Sequence, residues 1–114
     1  MTTSLTPYKV MYDELAIEDL KALDGSVKQR IVNAIAKVAQ NPLPRQEGGM
    51  GWPLGNKQGI NLANFLKIKM RGIGYRVVYE LHRTEKSMEI IIISVREDNE
   101  VYKEAYKRIL QRKI

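Results

Sequence analysis

The stretch Phe65–Leu81, FLKIKMRGIGYRVVYEL, decides how this chain folds. Lys67, Lys69 and Arg71 occupy every second position, with Leu66, Ile68 and Met70 in step between or beside them. A strand sends alternate side chains to opposite faces, so this period of two predicts a strand with an apolar face and a cationic one. The glycines of GIG, Gly72 and Gly74, are free to adopt positive φ and turn the chain. YRVVYEL then returns as the second strand of a hairpin, bringing Arg76 to the cationic side. Like charges at neighbouring sheet positions repel, so such a row costs stability unless something anionic lies against it.

Outward from the hairpin, SMEIIIISV (Ser87–Val95) is apolar on both faces and reads as a central strand. REDNEVYKEAYKRILQRKI closes the chain as a helix, with Tyr102, Ala105, Tyr106, Ile109 and Leu110 at helical spacing. Upstream, YKVMY (Tyr8–Tyr12) is a short first strand. DELAIEDLKALD follows as a helix with Leu15, Ala16, Ile17, Leu20 and Leu23 in its stripe and acids in its first turn. The next helix buries Val27, Ile31, Ile35 and Val38 and stops at Asn41-Pro42; its N-terminus offers a Ser26/Gln29 capping box or Asp24 as the cap. Residues 41–64 form a long loop rich in Gly, Pro and Asn, in which Trp52, Pro53 and Leu54 are expected to fold back on the core. Neither G-x-x-x-x-G-K-[ST] nor G-x-G-x-x-G occurs, so a nucleotide loop is rejected. The order β-α-α-β-β-β-α predicts an α+β domain: a small, mostly antiparallel sheet of about four strands, with two N-terminal helices and a C-terminal helix covering one face.

A length of 114 residues suits one domain, 1–114, with one core. A net charge of +6 and a pI near 9.6 point to acidic partners, which include nucleic acid, an anionic surface and an acidic protein. There is no cysteine, which excludes disulfides and thiolate metal sites and fits the cytoplasm. His82 is the only histidine, so one chain cannot build a two-histidine metal site, and it reads as a surface residue. No apolar run is long enough for a secretion signal or a membrane span. The expectation is a soluble chain with no membrane, metal or cofactor.

Lys67, Lys69 and Arg76, joined by Arg96 at the end of the central strand, make a compact cationic group. A solvated strand face would carry lysines as well, and a site that only binds phosphate would look the same. In a cluster of cations each lysine raises the cost of protonating the next, which suits one of them to base work, while arginine forks two donors onto a phosphate. The combination suits cleavage of RNA by its own 2′-hydroxyl. That reaction needs a base, cations on the crowded phosphate and an acid for the leaving 5′-oxygen, and no metal.

FLKIKMRGIGYRVVYEL, IIISVRE and NEVYKEAYKRIL resemble the RelE group of the RelE/ParE toxin superfamily, as does the opening YKVMYDELAIEDLKALDGSVKQRI…NP. The resemblance covers nearly the whole chain except the long loop. It implies a curved antiparallel sheet flanked by helices, and a type II toxin that cuts mRNA in the ribosomal A site and is held inactive by an acidic antitoxin. By position it implies that Lys67 and Lys69 activate the 2′-hydroxyl and balance phosphate charge. It assigns Arg76 to the transition-state phosphate, Arg96 to the leaving group and Tyr102 to stacking on an mRNA base. Arg71 continues the cationic row toward RNA backbone. Arg30 and Lys37 share a helix flank open to ribosomal RNA or to solvent alone. Two alternatives stand beside this reading. One is a ParE-like inhibitor of DNA gyrase, whose relatives generally lack the paired lysines. The other is a degenerate toxin that only binds its antitoxin, favoured by the short segment SVREDNEVY.

Overall fold

The computed structural model describes residues 7–57, 60–95 and 98–112. A five-stranded sheet in the order β1-β5-β4-β3-β2 carries helices on both faces. The chain runs β1 (Lys9–Tyr12), α1 (Glu14–Lys21), α2 (Gly25–Val38), a 3₁₀ turn (Arg45–Glu47), β2 (Trp52–Lys57), β3 (Ile60–Met70), β4 (Tyr75–His82), β5 (Ser87–Ser94) and α3 (Asp98–Arg112). β2 to β5 form an antiparallel meander, and β1 joins β5 in parallel, the sense a helical crossover permits. The α+β class and the element order are as expected, with one strand more. That strand, β2, arises where only loop was read: WPLGNK has few strand formers and pairs as an edge strand, the place where a sheet tolerates proline.

The two N-terminal helices and α3 take opposite faces, which corrects the expectation that all helices share one. On the first face Ala16, Ile31, Ile35 and Val38 meet Leu66, Ile68, Val77, Tyr79, Leu81, Met88, Ile90 and Ile93. On the second, Val101, Tyr102, Ala105 and Ile109 of α3 meet Leu54, Leu62, Phe65, Val78, Ile91 and Ile92. A register shift between β4 and β5 makes this second patch. Val78 pairs with Ile92 and Tyr79 with Ile90, so Ile91 is the extra residue, and both Ile91 and Ile92 reach α3. The apolar stripe of α3 is rotated slightly from the sequence reading: Val101 is buried and Leu110 is 47% exposed.

Local chemistry sets the helix ends. Asp13 caps α1 by accepting from the Leu15 N–H. At α2 the cap is Asp24, not Ser26: its carboxylate accepts from the Val27 N–H and the Ser26 hydroxyl, both at 3.1 Å, and these bonds hold its pKa below the usual carboxylate range. After α2 the chain closes a compact loop. The Met50 N–H donates to the Asn41 carbonyl and the Gly51 N–H to the Leu43 carbonyl. The buried Tyr79 hydroxyl donates to the Pro42 carbonyl at 2.6 Å and ties the loop to the sheet, and burial pushes its phenol up. Gly51 has to be glycine, because a Cβ there would run into the Tyr79 hydroxyl and Leu66. In the turn between β3 and β4 it is Gly74, at φ 71°, that takes the left-handed conformation.

An ion pair fastens α3 to the rest. Arg108, 10% exposed, donates to both carboxylate oxygens of Asp19 on α1 (2.7 and 3.1 Å), to Glu104 at 3.3 Å and to the Ile91 carbonyl at 2.8 Å. Asp19 in turn accepts from the Ile93 N–H at 3.0 Å. β1 stops opposite Ile90, so this pair supplies the partners that a longer edge strand would have given β5. Burial lowers the basicity of Arg108, but the Asp19 and Glu104 carboxylates outweigh it and hold the guanidinium above its usual range.

Candidate functional site

β3 and β4 place the cations. Lys67 and Lys69 lie two residues apart on the α3 side of β3, about 7 Å apart at the backbone. Lys69 pairs directly with Arg76 of β4, which in turn pairs with Ser94 of β5. All three cations are half-buried. They do not sit on an open face, as read from sequence, because α3 covers the middle of that face and leaves them at its rim. Lys69, Arg71 and Arg76, with Met70, Gly74 and Tyr75, line a cavity of about 210 Å³ at the hairpin end.

Tyr102 reaches this group from α3. It is 4% exposed, and the Lys67 ammonium donates to its hydroxyl oxygen while lying 5.1 Å from the centroid of its ring. Of the two roles read for Tyr102, core packing and stacking on an mRNA base, its burial fits the first, and the same side chain also holds a site lysine. Arg71 is exposed in the turn. Arg30 lines a second cavity of about 380 Å³ with Asn33, Met70, Gly72 and Ile73, at the same hairpin end but beside α2. Lys37 is exposed about 10 Å further along α2, so it is not brought to the cations. Arg96 lies outside the described residues.

The model of the ParE toxin of type II toxin–antitoxin systems matches residues 10–102. This chain belongs to the RelE/ParE family of type II toxins. It is 30% identical to the mRNA interferase toxin RelE of Escherichia coli K12, over 90% of this chain and 98% of that one. The mRNA interferase RelE of Shigella flexneri matches equally. Among solved structures, an arginine-substituted E. coli RelE in the free state superposes with a TM-score of 0.69 at 27% identity, covering 91% of this chain and 99% of that one. A similar E. coli RelE in complex with an antitoxin RelB peptide gives 0.62 at 27% identity, covering 88% and 95%.

Three features of this toxin escaped the sequence reading. Trp52, like Pro53, stays exposed and does not fold back on the core with Leu54. It is 42% exposed, pairs with Lys67 across β2 and β3, and has the Arg45 guanidinium 4.1 Å from its ring centroid. The Asp19–Arg108 clamp fixes the helix that carries Tyr102, and its partners are 89 residues apart. At the far end of β4, His82 Nε2 lies 3.3 Å from Glu89 and 3.7 Å from Glu80. Among the described residues, these three make the one group whose ligand atoms converge, within 4.8 Å, closely enough to seat a metal ion. No helix among the described residues is long and apolar enough to cross a membrane.

Proposed function

We propose that this toxin is a metal-independent endoribonuclease that cuts mRNA in the ribosomal A site and so inhibits translation. The observation that carries the reading is the convergence of Lys67, Lys69 and Arg76 on one rim of the sheet, with the Tyr102 hydroxyl on Lys67. The names of its relatives, mRNA interferases at 30% identity, support it. In this mechanism one of Lys67 and Lys69 takes the proton of a 2′-hydroxyl and the other balances charge on the adjacent phosphate. The 2′-oxygen attacks phosphorus as the bond to the 5′-oxygen breaks. Arg76 holds the phosphate oxygens in the transition state, and Arg96 assists the departing 5′-oxygen, which takes up a proton from water. Tyr102, packed beneath α3, steadies Lys67. The ends left are a 2′,3′-cyclic phosphate and a 5′-hydroxyl. Arg71 contacts RNA backbone, and Arg30 and Lys37 extend the positive surface toward ribosomal RNA. The ribosome supplies the orientation that such a small site lacks.

The toxin works in the cytoplasm as one domain, 1–114, under the control of a cognate acidic antitoxin. Solved relatives in complex with antitoxins and the net charge of +6 support that partner. The test is to incubate the purified chain with ribosomes programmed with a defined mRNA and to characterise the new ends. Cyclic phosphate at cuts within the A-site codon is expected. Uncut mRNA would refute the reading. The match to the ParE toxin model favours a second reading, binding of DNA gyrase. Induction of DNA damage with intact mRNA would select it.

A further inference from the structure

Single exposed apolar side chains are common on protein surfaces, so exposure alone gives Trp52 no meaning. Its position does. Leu54, two residues on in the same strand, is 3% exposed within the α3-side cluster, whereas Trp52 stays 42% exposed at the rim. It stands directly opposite Lys67, so it occupies the same sheet side as the cations, one strand spacing (about 4.8 Å) outward. Lys67 is thereby flanked by two aromatic rings, Tyr102 from α3 and Trp52 from β2. Arg45, exposed in the 3₁₀ turn, lies over the indole and adds a further cation.

Aromatic rings interleaved with cations along a groove are what single-stranded nucleic acid selects. Each base offers a π-face to a ring, and each phosphate offers its charge to a cation. We propose that Trp52, braced by Arg45, is a base-stacking platform for the RNA strand, holding a nucleotide next to the phosphate at Lys67 on the side away from Arg76. The inference rests on the reading of the substrate as single-stranded RNA, and adds a binding residue to it. It also gives the edge strand β2 a use: β2 carries the platform to the rim, with Leu54 anchoring it to the core.

Trp52 is the only tryptophan in the chain, so its emission reports on this position alone. The probe is a short single-stranded RNA, 2′-O-methylated so that it lacks the nucleophile, added at low salt to the full chain with excitation beyond tyrosine absorption. A saturable quench is expected. An abasic version with the same phosphates should bind roughly tenfold more weakly and leave the emission unchanged. Trp52→Ala should bring binding of the intact probe, read by anisotropy of a labelled copy, down to the abasic level. Trp52→Phe should keep most of it and guards against loss of folding, which thermal melting would check. Equal quenching by both probes, unchanged affinity in Trp52→Ala, no binding of RNA, or a response to an acidic peptide in place of RNA would each overturn the proposal. A chain that is quenched by RNA yet leaves ribosome-bound mRNA uncut would refute the endonuclease reading and leave the platform standing. Cleavage that proceeds equally in Trp52→Ala, at the same substrate dependence, would refute the platform alone.

Discussion

The two ends of the sheet face that carries α3 handle charge in opposite ways. At the hairpin end, Lys67, Lys69 and Arg76 gather like charges on neighbouring positions. At the other end, Glu80 and Glu89 also stand directly opposite each other, but His82 is set between them, within 3.3 and 3.7 Å. Both arrangements begin from the same liability, like charges facing across strands. At the carboxylate end a histidine lies between the charges. At the hairpin end the cations line a cavity and the row continues into the exposed Arg71, a surface that suits an anionic ligand. The difference shows where on a charged sheet to look for function.

The sharpest way to break this contrast is to remove charge at each end. Lys67→Ala with Lys69→Ala should lower cleavage by about 10²–10⁴-fold, the usual worth of acid–base groups. The thermal midpoint should fall only slightly, through loss of the bond from Lys67 to the Tyr102 hydroxyl; a collapse of the midpoint would mean that the lysines hold the fold. Next in size is the clamp between the ends. Arg108→Ala leaves Asp19 part-buried without its partner and should destabilise by about 3–5 kcal/mol in denaturant titration. Cleavage should fall with it, since α3 carries Tyr102. At the carboxylate end, His82→Asn should cost about 1 kcal/mol or less and leave cleavage intact. A large loss of activity there would erase the contrast.

The smallest expected effect concerns the compact loop. Arg83 donates to both oxygens of Glu47 at 2.8 and 2.7 Å, which holds that carboxyl below the usual range. A depressed folded value means the stabilisation is present above the ordinary glutamate range and is lost as pH falls through the folded value. Wild type and Glu47→Gln should therefore melt slightly apart near neutrality and converge in acid.

Much of this was legible in the sequence, and the reasons differ by element. The period of two in FLKIKMR and the length of the turn fix that Lys69 meets Arg76, so the core of the site followed from local pattern. The helical stripe of α3 announced burial but not which face it would cover, because both sheet faces are apolar at β5. β2 was unreadable because its residues are poor strand formers and only pairing with β3 makes them a strand. Arg108 and Asp19 look like ordinary surface charges, since nothing local signals a partner 89 residues away. The Lys67–Tyr102 contact was not read at all: helical spacing argued for a core residue and the family resemblance for base stacking, and neither names a partner 35 residues away.

The central claim is that the cation group at the hairpin end cuts mRNA during translation. Its most direct test is primer extension on a reporter transcript before and after induction, comparing a translated with an untranslated copy. New 5′ ends within codons, on the translated copy only and absent with Lys67→Ala plus Lys69→Ala, are the predicted result. An unchanged transcript in cells that stop growing, or cuts that persist in the double variant, would contradict it.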